Sequence, residues 1–311
     1  MLVRKLTIAM VAPRVTPDHL LTARFRSLEW LVLVTILGVL CLYPTDTSAE
    51  ELVTFKSASY RLGQLQRRLA REHGEMPQET SEMIEGYLST PEGNGPFAAI
   101  VYLHGCGGLS ETTRKRIAGL MTKWGYVSLV ADSFATRGIK QACDKPMPAR
   151  QGDALGALSY LSSLPFVDPH RVALVGSSQG GIVALELASH HPVEIFDVPE
   201  DRKFSAAVAY YPFCNVAAAE LSIPTLIMIG ELDDWAPAKD CDRWMQTRSG
   251  RGASVKLVVY PGAHHDFDNP GLDNGMRLFG HWLKYDADAA SKSVQEMQEF
   301  LSKQLSREAS H

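Results

Sequence analysis

The sequence predicts an α/β protein built on a doubly wound, mostly parallel sheet with helices on both faces and an antiparallel hairpin at its start. Three observations predict it. Short apolar runs of buried-strand type recur along the chain, segments of helical length separate them, and neither repeats nor low-complexity tracts interrupt the alternation. Composition agrees: 45% of the 311 residues are apolar, 21% are charged and the mean hydropathy is -0.08. Such a chain buries a full core and is neither disordered nor a polytopic membrane protein. A net charge of -4 without a basic block offers nucleic acid no electrostatic footprint, so no such partner is expected.

Residues 1–49 read as a leader. The run 30–43 is apolar and uncharged, follows Arg4, Lys5, Arg14, Arg24 and Arg26, and ends at Pro44 and the small residues Thr47, Ser48 and Ala49. A spanning helix takes about 20 apolar residues, which this run lacks. It fits a signal peptide cut after Ala49, with a start at Met10 as a shorter version. The alternative is an uncleaved anchor, the sole expected membrane contact. Leu40 before Cys41 argues against a lipoprotein cut. On either reading the domain at 50–311 is exported, periplasmic or secreted. Four cysteines then remain, Cys106, Cys143, Cys214 and Cys241, and an even count in an oxidising space favours disulfides over free buried thiols. Of the three pairings, the favoured one joins Cys214 to Cys241, after successive strands, and Cys106 to Cys143, in successive loops.

Within the domain, 52–56 and 81–88 alternate as half-buried strands, with a charged surface excursion at 61–80 between them. The runs 97–103, 126–131, 171–175, 206–211, 224–229 and 255–260 read as buried strands. Helices are expected at 112–123, 149–161, 179–189, 238–248 and 275–285, with a polar-faced terminal helix at 287–311. Right-handed crossovers between parallel strands place such helices on both faces.

The chemistry sits in the loops. Gly176, Ser177, Ser178, Gln179 and Gly180 form G-x-S-x-G directly after a buried strand and at the start of a helix. That is the context of a nucleophile elbow, whose tight turn raises the Ser178 hydroxyl above the strand end. The helix dipole points there too. A serine hydroxyl needs a base, and the loop after the last strand offers His264 and His265. Asp233 and Asp234, after the strand ending at Ile229, are candidates to orient the imidazole. The segment His104, Gly105, Cys106, Gly107, Gly108 follows another strand end, where small residues let amides reach a substrate carbonyl. The Cys106 and Gln179 amides are the expected oxyanion donors. His104 reads as a brace for that loop. Adjacent His264, His265 and Asp266 do not converge on one ion, so neither metal nor other cofactor is expected.

The segments LHGCGG, ADSFATRG, VGSSQGG, IGELDDWAP and YPGAHHDF, in that order, resemble the dienelactone hydrolase family of the α/β-hydrolase superfamily over about 80–285. The resemblance implies the α/β-hydrolase fold and a Ser178, Asp233 and His265 triad acting through an acyl-enzyme. It also implies a small ester or lactone as substrate. Founding members carry a cysteine nucleophile, so Ser178 places the chain nearer an exported, serine-bearing branch. Arg137 falls within one position of an arginine that holds the substrate carboxylate in the family, with a surface or loop-bracing salt bridge as the alternative of at least equal weight. About a dozen residues separate Tyr211 from Pro224, too few for a helical lid, so an open cleft is expected. Phe134, Trp235 and Phe267, on strand-end loops, are candidate pocket aromatics, with core packing the equal alternative for each. Two other readings remain: a peptidase or acyltransferase on the same triad, or a non-catalytic binder on this fold.

Overall fold

A computed structural model describes residues 50–60, 72, 81–146, 148, 150–189, 196–199, 201–216, 218 and 220–306. The leader at 1–49, the excursion at 61–80 except Glu72, and residues 307–311 lie outside the described residues. Among those described, no helix is long and apolar enough to cross a membrane.

One eight-stranded sheet organises the domain. Its strands are β1 (Glu51–Lys56), β2 (Met83–Ser89), β3 (Phe97–Leu103), β4 (Val127–Asp132), β5 (Val167–Ser177), β6 (Ala206–Tyr210), β7 (Thr225–Gly230) and β8 (Val255–Tyr260). They lie in the order β1-β2-β4-β3-β5-β6-β7-β8. The β1/β2 and β2/β4 pairs are antiparallel and every later pair is parallel. Burial follows position: β1 alternates exposed and buried residues, whereas β6 and β7 are buried throughout. A strand with helices on both faces has no solvent side, hence its unbroken apolar runs.

Helices α1 (Glu111–Lys123), α2 (Arg150–Ser163), α3 (Gln179–Ser189), α4 (Ala238–Thr247) and α5 (Ala287–Gln304) cover the sheet. Local chemistry sets their ends: the Ser110 hydroxyl accepts from the Thr113 amide, and the Asp286 carboxylate accepts from that of Ala289. On α5 the buried residues Ala289, Ser293, Met297 and Leu301 share one stripe, where the Ser293 carbonyl accepts from the Tyr210 hydroxyl at 3.3 Å.

The segment 275–285 departs from expectation. It forms a β-hairpin of β9 (Met276–Leu278) and β10 (His281–Leu283) instead of a helix. Gly275, Phe279 and Gly280 have φ of 67°, 49° and 90°, signs that a right-handed helix excludes. The turn geometry overrides the helix expected there.

Of the two readings of Arg137, the structure shows the loop-bracing salt bridge and not a residue lining the cavity at Ser178. Its Nη1 and Nη2 donate to the carboxylate of fully buried Asp153 at 2.7 and 2.9 Å, Nε donates to Glu82 at 2.6 Å, and Nη1 also reaches the Ser133 carbonyl. The Ser57 hydroxyl adds a bond to Asp153 at 2.8 Å. With its donors committed to joining the loop after β4 to β2 and α2, Arg137 is a brace and does not line the cavity at Ser178. Breaking a buried pair leaves an uncompensated charge, so Asp153→Ala is expected to lower unfolding stability by about 3 kcal/mol in urea titrations. A loss within experimental error contradicts this account of the brace.

Candidate active site

Five consecutive sheet positions deliver the site, because the loops following β3, β5, β6, β7 and β8 leave the same edge of the parallel sheet. Ser178 stands between β5 and α3 with φ of 53°, in the left-handed region. The chain tolerates it because its neighbours are small: a Cβ on Gly176 would lie 2.1 Å from the Gly180 carbonyl oxygen, and one on Gly180 would lie 2.2 Å from that of Leu103. The Ser178 amide donates to the Tyr210 carbonyl at 2.9 Å, and its own carbonyl accepts from Ile182 in the first turn of α3. Strain of this kind persists only where the surroundings fix it.

The Ser178 hydroxyl lies 3.1 Å from His265 Nε2, and His265 Nδ1 lies 2.7 Å from Asp233 Oδ2. A carboxylate has no proton to give, so Nδ1–H donates and Nε2 is left to accept from the serine. His265 and Asp233 are both buried. The other Asp233 oxygen accepts from the Trp235 and Ala236 amides at 2.9 and 2.7 Å, which fixes the carboxylate in its turn. The neighbouring candidates point elsewhere. His264 Nδ1 donates to the Leu232 carbonyl at 3.1 Å, and Asp234 accepts from the Trp282 amide at 3.0 Å.

Next to Ser178 runs the Gly105–Cys106 turn: a Cβ on Gly105 would lie 3.4 Å from that of Ser178. The amides of Cys106 and Gln179 hydrogen-bond to no described residue, and Gln179, opening α3, has no acceptor within its helix. Around them the loop is tied down. A disulfide joins Cys106 to Cys143, the Ala142 amide donates to the Cys106 carbonyl at 2.8 Å, and Gln179 Nε2 donates to the Ala142 carbonyl at 2.8 Å. The second disulfide joins Cys214 to Cys241, between the loop after β6 and α4.

His104 is buried and stacks edge-on against Phe134, 4.6 Å between centroids. Burial, and Arg150 beside it, hold its pKa well below the usual histidine range, so it stays neutral and its Nδ1–H donates to the Gly105 carbonyl at 2.7 Å. Arg150, absent from the sequence reading, is fully buried and donates to the His104 carbonyl at 2.7 Å; burial pushes its pKa down to about 10. Phe134 and Phe267 belong to the core and do not line the cavity; only Trp235 of the three aromatics does.

The cavity measures about 230 Å³. Leu278 and Leu283 of the hairpin wall it on one side. Arg116, Tyr211 and Asp266 line another wall, backed by Asp268: Arg116 from α1 donates to Asp268 at 2.9 Å, and the Tyr211 hydroxyl contacts Asp268 at 2.6 Å and Asp266 at 3.0 Å. Burial, reinforced by the nearby Asp268 charge, raises the Asp266 pKa. Among the described residues no cluster of three metal-ligating side chains occurs.

Known proteins share this architecture. The profile of the dienelactone hydrolase family matches residues 84–305. A Methylorubrum extorquens protein assigned as a carboxymethylenebutenolidase is 26% identical over 199 residues, 60% of this chain and 68% of its own length. The acylamino-acid-releasing enzyme of Arabidopsis thaliana is 22% identical over 223 residues, 56% of this chain, and the matched part spans 28% of that enzyme. The crystal structure of dienelactone hydrolase from Anabaena variabilis superposes with a TM-score of 0.53 at 19% identity, covering 83% of this chain and 99% of that one.

The Asp266 shift carries a pH signature. A carboxyl whose folded pKa is raised holds its proton more tightly in the native state, so its contribution to stability is present in acid and is lost as the pH rises through the raised value. Asp266→Asn removes that loss, and asparagine suits the local φ of 60°. Its melting temperature should exceed that of the parent at neutral pH, with the difference shrinking as the pH falls into the ordinary carboxylate range. A variant less stable at every pH contradicts the assignment.

Proposed function

This chain belongs to the dienelactone hydrolase family, and on that premise we propose that it hydrolyses small carboxylic esters or lactones through an acyl-enzyme on Ser178. The observation that carries the reading is the relay of 3.1 and 2.7 Å from a left-handed serine through His265 to a buried carboxylate.

In this mechanism the Ser178 oxygen attacks the substrate carbonyl carbon as its proton passes to His265 Nε2. The Cys106 and Gln179 amides stabilise the oxyanion, and two unpartnered donors, one on a tied loop and one at the start of α3, need little reorganisation to do so. The imidazolium then protonates the leaving oxygen as its bond to the acyl carbon breaks. A water, deprotonated by the same nitrogen, attacks the acyl carbon; the bond from that carbon to the Ser178 oxygen breaks, the carboxylic acid leaves, and the proton returned by His265 regenerates the Ser178 hydroxyl. Asp233 holds the tautomer and balances the imidazolium charge throughout. His104, neutral and committed to Gly105, takes no proton in this scheme.

Cavity size supports the substrate class. At about 230 Å³ it falls below the roughly 300–1,000 Å³ typical of sites for drug-sized ligands. The likeness to acylamino-acid-releasing enzymes supports a second reading, cleavage of an acylated amino acid by the same triad. The two disulfides support export to an oxidising compartment.

A fluorophosphonate probe is expected to label the protein, and Ser178→Ala to abolish labelling; an unlabelled parent leaves only a non-catalytic binder. Asp233→Asn is expected to lower kcat by about 10³- to 10⁴-fold and Asp234→Asn only mildly. The reverse order in steady-state assays reassigns the acid. Among p-nitrophenyl esters, acetate and butyrate should be preferred over octanoate and longer chains, and N-acetylalanine p-nitroanilide should turn over far more slowly. Preference for the anilide would establish the peptidase reading.

A further inference from the structure

The hairpin tip beside the site holds an aromatic residue that its backbone disfavours. Leu278 pairs with His281, so Phe279 and Gly280 form a two-residue loop, with φ of 49° and 90°. Loops of this kind take asparagine, aspartate or glycine at the first position, because a side chain with a bulky ring is strained there. Burial does not offset the strain, since Phe279 is 50% exposed. A strained, half-exposed aromatic invites a functional explanation.

Its surroundings supply one. The Phe279 ring lies 6.4 Å from Trp235, which lies 5.2 Å from His265. His281, in β10, stacks on Trp235 at 4.9 Å and 14°, fixing the plane of the indole. The hairpin is pinned to the site at its base: the Trp282 amide donates to Asp234, and the Lys284 amide to the His265 carbonyl at 3.3 Å. An aromatic row therefore runs from the imidazole to the outside, held at a fixed distance from the reacting atoms.

Resting on the serine-hydrolase reading above, we propose that Trp235 and Phe279 form a subsite for an aromatic leaving group, so that esters of aryl-bearing alcohols are the favoured substrate class. The side of the site follows from proton transfer. His265 Nε2 delivers its proton to the leaving oxygen, so the alcohol portion must lie against the imidazole, and the row of rings begins there. Aromatic side chains bind rings in offset or edge-to-face arrangements at such centroid distances.

The test compares substrate ratios in the full-length protein. For acetates, kcat/KM of the benzyl ester over that of the ethyl ester reports the leaving-group side; for ethyl esters, phenylacetate over acetate reports the acyl side. Phe279→Asn, a residue suited to the turn, should lower the first ratio about fivefold, leave the second unmoved and keep or raise the melting temperature. Phe279→Trp should retain the first ratio. An unchanged first ratio, or a fall confined to the second, overturns the proposal. So does a lower melting temperature or a changed oligomeric state in Phe279→Asn, which would make the ring a packing element or a seat for a second copy. If the parent hydrolyses none of these esters and escapes the fluorophosphonate, the underlying reading fails as well, and the two failures are thereby distinguished.

Discussion

The bond between His265 Nδ1–H and Asp233 Oδ2, at 2.7 Å in a buried setting, is the constraint to which the rest of the site answers. It decides which imidazole nitrogen faces Ser178, and it requires that two loops from adjacent strands, β7 and β8, converge. Their convergence needs Gly230, where a Cβ would lie 2.3 Å from the Ala263 carbonyl oxygen. The Leu232 amide donates to that same carbonyl at 2.9 Å, closing the two loops on each other. Backbone contact, set by the parallel register, thus positions Asp233 and His265 before any side chain is considered.

A second layer of buried charge supports the opposite wall. Arg150 reaches the His104 carbonyl from within the core, and the Arg137–Asp153 pair ties the loop after β4 to α2. Buried ionic groups are costly to place and costly to disrupt singly, so they fix geometry more than they add stability. The Gly105–Cys106 turn, which the proposed mechanism uses for the oxyanion, gains a covalent restraint from Cys106–Cys143. Rigidity here matters because donors aimed at a developing charge are effective only when they are already in place.

The parallel sheet was legible because its central strands are buried on both faces, leaving runs such as 97–103, which matches β3 residue for residue; the run 255–260 matches β8 as well, although that edge strand is mostly half-buried. The elbow was legible because its glycines mark a close approach of backbone to backbone. Asp233 and His265 were separated from Asp234 and His264 by resemblance alone, since spacing does not distinguish neighbours on one loop. The hairpin at 276–283 was missed because its fold depends on backbone signs at Gly275, Phe279 and Gly280. Phe134 and Phe267 sit on strand-end loops yet turn into the core. Arg116 was invisible for a different reason: a basic residue on an amphipathic helix reads as surface until the Asp268 that binds it, far along the chain, is brought beside it.

The central claim is that one hydroxyl, activated by one imidazole, becomes acylated. Rapid-quench mass spectrometry of the protein mixed with p-nitrophenyl acetate tests it most directly. The account predicts an early protein species heavier by one acetyl group, mapped by peptide sequencing to Ser178, formed at a rate at least as fast as turnover. Continued turnover with no such species, or an acetyl group mapped to another residue at a competent rate, would contradict it.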